Sequence, residues 1–143
     1  LGGPMSGSGY RWGRSSLQRL STCHDDLQRL MTKALEHPDC PSDMTIVYGH
    51  RSNAEQAELY AQGRTRPGRV VTNAKPGQSR HNSWPSDAVD VIPYINGSGS
   101  WEWDHINPMA AHIKRVAAEE GIRVTWGGDF RSFRDGAHWE MTR

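Results

Sequence analysis

Apolar positions recur at helical spacing near the start of the chain: Leu17, Leu20, Leu27, Leu30, Met31, Ala34 and Leu35 fall mostly on one stripe, behind Ser15 or Ser16 as N-cap. One amphipathic helix packed on a core is predicted there, ended by Pro38 and the Pro41-Ser42-Asp43 cluster. A short strand follows at Met44 to Tyr48, and Ser52 or Asn53 caps a second helix closed by Gly63 at the C′ position. Residues 63 to 80 are basic and rich in Gly and Pro, which predicts a long loop with a short extended piece at Val70 and Val71. The run Ala88 to Ile92 predicts a buried strand. A turn at Asn96 to Ser100, a helix from about Asn107 to Glu120 stopped by Gly121, a strand at Ile122 to Trp126 and a last strand opening at His138 complete the pattern. Strands and helices are interspersed without a βαβ rhythm, so the predicted fold class is α+β, a small, mostly antiparallel sheet packed with helices.

With 143 residues the chain predicts one domain, over residues 10–143, behind a stretch at 1–9 that has the look of a cloning remnant and a disordered N-terminus. Seventeen basic against sixteen acidic residues leave little net charge, which argues against nucleic acid as a partner. No apolar run approaches the roughly 18 residues of a membrane span, so no membrane insertion is expected, and no signal peptide is visible. Cys23 and Cys40 are expected to be ordinary thiols, with a disulfide between them possible in an oxidising compartment.

Asp90 breaks the pattern. A lone carboxylate buried between two valines costs several kcal/mol unless it is paired or bound to a metal. His81, upstream across a Pro-Ser turn, can fold back toward it, and the two together make two legs of a catalytic zinc site; the bland reading pairs Asp90 with an arginine and leaves His81 on a surface loop. His138 likewise sits at the edge of an apolar strand. Asp135, three residues earlier, lies where a general base would stand. Arg51 falls where a strand hands over to a helix, a frequent place for functional side chains.

In combination, GHRS, SRH, AVD, WGGDF and DGAHWEM resemble the zinc peptidases that include phage L-alanyl-D-glutamate endolysins, D-alanyl-D-alanine carboxypeptidases and D-Ala-D-Ala dipeptidases, over nearly the whole chain. The resemblance implies the small α+β fold shared with the Hedgehog signalling domain, and one zinc peptidase catalytic domain. It also implies Zn2+ held by His81, Asp90 and His138, Asp135 as catalytic base, and Arg51 reaching the substrate or the developing oxyanion. The family pattern S-x-H-x-x-G-x-A-x-D separates His and Asp by seven positions, whereas His81 and Asp90 are nine apart, so Asp87 is a rival ligand. Ser79 and Gln56 are expected to act in support, orienting a ligand or the substrate, and Trp126 to line the cleft and meet substrate, while Glu140 is expected on the face of the strand opposite His138.

The function so implied is hydrolysis of the L-Ala–D-Glu bond in the peptidoglycan stem peptide. A D-alanyl-D-alanine carboxypeptidase or dipeptidase and a non-catalytic zinc-containing binding module are the alternatives. The resemblance further suggests a monomer that waits in the host cytoplasm before release to the periplasm and cell wall.

Overall fold

The computed structural model describes residues 7–142. Four helices, α1 (Arg14–Leu20), α2 (Asp25–Glu36), α3 (Asn53–Ala61) and α4 (Trp103–Glu120), accompany five strands, β1 (Asp43–Tyr48), β2 (Ala88–Ile95), β3 (Ser98–Gly99), β4 (Val124–Trp126) and β5 (His138–Met141). The sheet runs β1-β2-β5-β4, every pairing antiparallel, with β3 folded back on the end of β2. This is the α+β architecture predicted from the sequence.

Strand β2 is central, and six consecutive residues, Ala88 to Pro93, are buried. A strand covered on both faces needs a continuous apolar run rather than alternation, and the Val-rich segment supplies one. Val89 and Val91 join a core built from Leu27, Leu30, Met31, Leu35, Met109, Ile113 and Trp139, where α2 packs on α4 and α4 on the sheet. Asp90 pairs with Tyr48 of β1 on one side and His138 of β5 on the other. The pairing fixes Asp90 and His138 as neighbours before any side-chain interaction is considered.

Several boundaries differ from the sequence pattern. The first predicted helix is two, broken at Ser21 to His24, because the chain there pairs with the segment ahead of β2: His24 N–H donates to Ser86 O (2.8 Å) and Ser86 N–H to Thr22 O (2.9 Å). The His24 imidazole then caps α2 by accepting from the Asp26 N–H (3.0 Å), and Leu17, assigned to the core stripe, is 54% exposed. Helix α4 begins at Trp103 and carries Pro108 in its interior. No strand forms at Val70 and Val71. Of the two predicted caps of α3, Ser52 is the one used, in a reciprocal capping box with Glu55, and Gly63 follows with φ +81° as predicted. Of the leader expected to be disordered, residues 1–6 lie outside the described residues, but Ser8 is docked, its N–H donating to Glu36 O (2.9 Å) and its hydroxyl to Leu35 O (2.6 Å).

Both cysteines are free and buried, so the disulfide considered from the sequence does not form. Burial pushes the Cys23 thiol up to about 12, and it raises Cys40 as well. Since the thiolate is the reactive species, neither residue is expected to react with a disulfide reagent at neutral pH in the native protein. Both should react once denaturant is added; rapid native labelling of Cys23 would contradict this packing.

Candidate metal centre

The loop before β2 ends in a single 3-10 turn, Arg80–Asn82, whose geometry is set locally. The Ser79 hydroxyl accepts from the His81 N–H (3.1 Å), and the Asn82 side chain accepts from the Ser79 N–H (3.1 Å). The turn is clipped to the β1–α3 junction: Arg51 N–H donates to His81 O (2.8 Å) and the Asn82 amide donates to Arg51 O (2.8 Å). His81 is thereby turned inward, only 2% exposed, toward the centre of the sheet.

Three donors converge there. His81 Nε2 lies 3.1 Å from Asp90 Oδ1 and 3.3 Å from His138 Nδ1, and His138 Nδ1 lies 3.2 Å from the same Asp90 oxygen. Among the described residues this is the one group of three or more His, Cys, Asp or Glu side chains placed to hold a metal ion. Asp87 is not in it; its N–H donates to Ser83 Oγ and its carbonyl accepts from Met141 N–H, which fixes it in the segment entering β2.

The donor set fits a tetrahedral ion. Ligand atoms 2.0 to 2.1 Å from zinc in a tetrahedron stand about 3.3 to 3.4 Å apart, close to the edges of this triangle. The outer nitrogens point the same way. His81 Nδ1 faces the Gly49 carbonyl at 2.8 Å, and because a carbonyl only accepts, the proton sits on Nδ1 and the Nε2 lone pair faces the triangle. His138 Nε2 faces Glu140 Oε1 at 2.8 Å, which directs Nδ1 inward. Two imidazole nitrogens 3.3 Å apart cannot both present lone pairs unless a cation lies between them. Without a metal a proton takes that place: burial alone would lower the His138 pKa, but hydrogen bonds to Asp90 and Glu140 raise it to about 9. Burial likewise pushes the Asp90 carboxyl up, yet the His81 and His138 imidazoles override it and hold the group well below the usual carboxylate range.

Asp135 stands beside the triangle without belonging to it. Its Oδ1 accepts from the Ala137 N–H (3.1 Å), and its N–H donates to Gly127 O (3.1 Å) across a contact so close that a Cβ at Gly127 would lie 2.3 Å from the Asp135 carbonyl oxygen. Burial and the Asp90 charge raise its pKa. Arg51, only 6% exposed, approaches the other Asp90 oxygen at 3.5 Å, donates from Nη1 to Gln56 Oε1 (2.9 Å) and lies 4.3 Å over the Tyr48 ring. Gln56 is fully buried, and its amide nitrogen donates to Ala74 O (2.8 Å) and Thr72 Oγ1 (3.3 Å), tying the long basic loop to Arg51.

All of this lines a cleft of ≈ 780 Å³ whose walls include Val70, Val71, Trp101, Trp103, Phe133 and Arg134. Ser79, Arg51, Asp135 and the three donors line it as well, whereas Gln56 reaches it only through its partners. Trp126, expected to meet substrate, is a core residue instead: it stacks on Trp139 (5.9 Å), donates from its indole to Gly136 O (2.8 Å) and is absent from the cleft wall. Glu140 also departs from expectation. Residues two apart on a strand share a face, so Glu140 lies beside His138, where it bonds the imidazole and pairs with Arg80 (3.1 Å). The period-2 spacing held that signal. Glu140→Ala is therefore expected to weaken metal affinity about 10- to 100-fold, read by competition against a chromogenic chelator; unchanged affinity would deny Glu140 an orienting role.

Comparison with known proteins agrees with this geometry. Residues 8–142 match the phage L-alanyl-D-glutamate peptidase family. The chain is 30% identical to the L-alanyl-D-glutamate peptidase of Escherichia phage T5 over 135 residues, covering 94% of this chain and 90% of that protein. It is 37% identical over 103 residues to the peptidoglycan L-alanyl-D-glutamate endopeptidase CwlK of Bacillus subtilis, covering 69% of this chain and spanning 60% of the length of CwlK. Among solved structures, the Serratia marcescens L-Ala D-Glu endopeptidase ChiX superposes with a TM-score of 0.75 at 31% identity, covering 94% of this chain and 92% of ChiX. With the match running almost end to end and the His-Asp-His cluster at the base of its cleft, the chain belongs to the phage L-alanyl-D-glutamate peptidase family.

Proposed function

We propose that this peptidoglycan L-alanyl-D-glutamate endopeptidase is a zinc hydrolase in which His81, Asp90 and His138 hold the ion, Asp135 is the general base and Arg51 faces the developing oxyanion. The observation that carries this reading is the triangle of donors at 3.1 to 3.3 Å with a half-buried carboxylate, Asp135, beside it in the wall of an open cleft. Bound there, zinc supplies Lewis-acid activation of water and of the scissile carbonyl.

The chain's own groups do the rest. Asp135 takes a proton from the attacking water and returns it to the leaving amine. Arg51, always charged and fixed by Gln56 and Tyr48, stabilises negative charge as the carbonyl becomes tetrahedral. Ser79 and Gln56 are positioning residues, one for His81 and one for Arg51. We take residues 8–142, the span of the family match, as the catalytic unit. No helix among the described residues is long and apolar enough to cross a membrane.

The test is removal and return of the metal. Chelation is expected to stop cleavage of purified walls, stoichiometric zinc to restore it, and the released fragments to begin with D-Glu by mass analysis. Full activity after the metal is gone, or fragments with a different new N-terminus, would overturn the reading.

A further inference from the structure

Four arginines line the cleft: Arg51, Arg69, Arg80 and Arg134. Two are committed elsewhere, Arg51 to Asp90 and Gln56, and Arg80 to Glu140 and the Met141 carbonyl. The Arg69 side chain has no hydrogen bond or ion pair among the described residues; its carbonyl accepts from the Gln62 amide (2.9 Å). Arg134 differs from all three. Its Nε donates to Gly128 O (2.9 Å) and its guanidinium lies 4.6 Å over the Trp103 ring, while neither terminal nitrogen has a hydrogen-bond partner among the described residues. Arg134 is exposed and lines the cleft, and being held both at Nε and over its plane lowers the entropic cost of using its outer pair of donors.

The substrate supplies a matching group. A D-glutamyl residue has one amine and two carboxyls; the amine is in the scissile bond and one carboxyl continues the peptide, so the other is free as an anion. That anion travels with the leaving amine. The leaving amine receives its proton from Asp135, and Arg134, which precedes Asp135 in the chain, lines the same cleft.

We infer that Arg134, stacked on Trp103, binds the free carboxylate of the D-glutamyl residue and makes the enzyme select that group over its amide. The inference rests on the L-Ala–D-Glu reading of the site. A planar fork suits a carboxylate through two parallel hydrogen bonds, and an amide offers only one acceptor and no charge.

The experiment compares two synthetic stem peptides, identical except that the free D-glutamyl carboxyl is intact in one and amidated in the other. Unmodified enzyme is expected to favour the carboxylate by about 10- to 100-fold in kcat/KM, the range of a charge-assisted pair. Arg134→Ala should lose most of that preference, falling steeply on the carboxylate and far less on the amide. Arg134→Gln, which retains the stem over Trp103, should behave alike and guards against a folding defect. Arg69→Ala should keep the preference. Equal loss on both peptides by both Arg134 variants, an intact preference in them, or no preference in the unmodified enzyme would overturn the inference while leaving the endopeptidase reading in place. Cleavage of neither peptide by the unmodified enzyme would overturn the endopeptidase reading itself, and the inference with it.

Discussion

Asp135→Asn is expected to lower kcat on the stem peptide about 10²- to 10⁴-fold, the usual contribution of a positioned general base, while the purified protein keeps its full complement of metal. The two halves of that expectation have separate origins. The rate falls because an amide cannot take a proton from water. The metal stays because Asp135 lies outside the donor triangle, and the amide oxygen of asparagine can still accept from the Ala137 N–H. Steady-state kinetics alongside metal analysis decides it. A variant that lost its metal would show that Asp135 is a ligand, and a variant with ordinary kcat would show that proton transfer runs elsewhere.

Asp90→Asn should act on both metal and fold. The carboxylate is the shared partner of His81, His138 and Arg51. Neutralising it removes one of the three candidate metal ligands and, in the metal-free protein, leaves Arg51 and His138 without their counter-charge, a change that costs about 3–5 kcal/mol. For a domain of this size that lowers Tm by roughly 6–20 °C. The pH dependence follows from the two shifts. Asp90 is depressed in the folded state, so its contribution is present above its ordinary value of 3.8 and fades in stronger acid. His138 is raised from 6.5 to about 9, so its contribution is complete below 6.5 and is lost as pH climbs through 9. Denaturant unfolding of metal-free protein should therefore show the largest gap between the two proteins near pH 5 and a smaller one at pH 9. A gap that does not vary with pH would mean that the cluster is not ionised as described.

The parts of this site that were legible in the sequence were those tied to an energetic anomaly. Asp90 stood out because nothing apolar explains a carboxylate inside a valine run, and its rival Asp87 stood outside the strand. Arg51 and the α3 cap were legible because a strand ending at Tyr48 is followed within four residues by Ser52, a good N-cap residue. What stayed hidden depended on tertiary pairing. The helical stripe runs straight through Cys23, and the helix is interrupted there where the chain bonds to Ser86. Trp126 and Trp103 are the same residue type near the same site, yet one is stacked on Trp139 beneath the sheet and the other lines the cleft, a difference set by the start of α4. Glu140 was not hidden in this way: two residues along a strand share a face, so its place beside His138 follows from the spacing alone.

The catalytic floor and the specificity walls have different structural origins here. The floor hangs from β2, buried on both sides, while Val70, Val71, Phe133 and Arg134 project from connecting segments outside the sheet. Exchanging the segment that carries Val70 and Val71 for one of other length or charge should redirect the enzyme toward chemically altered stem peptides without disturbing its reactive centre, provided that a residue at position 74 still offers its carbonyl to Gln56; the segment of Phe133 and Arg134 is less free, because Asp135 belongs to it.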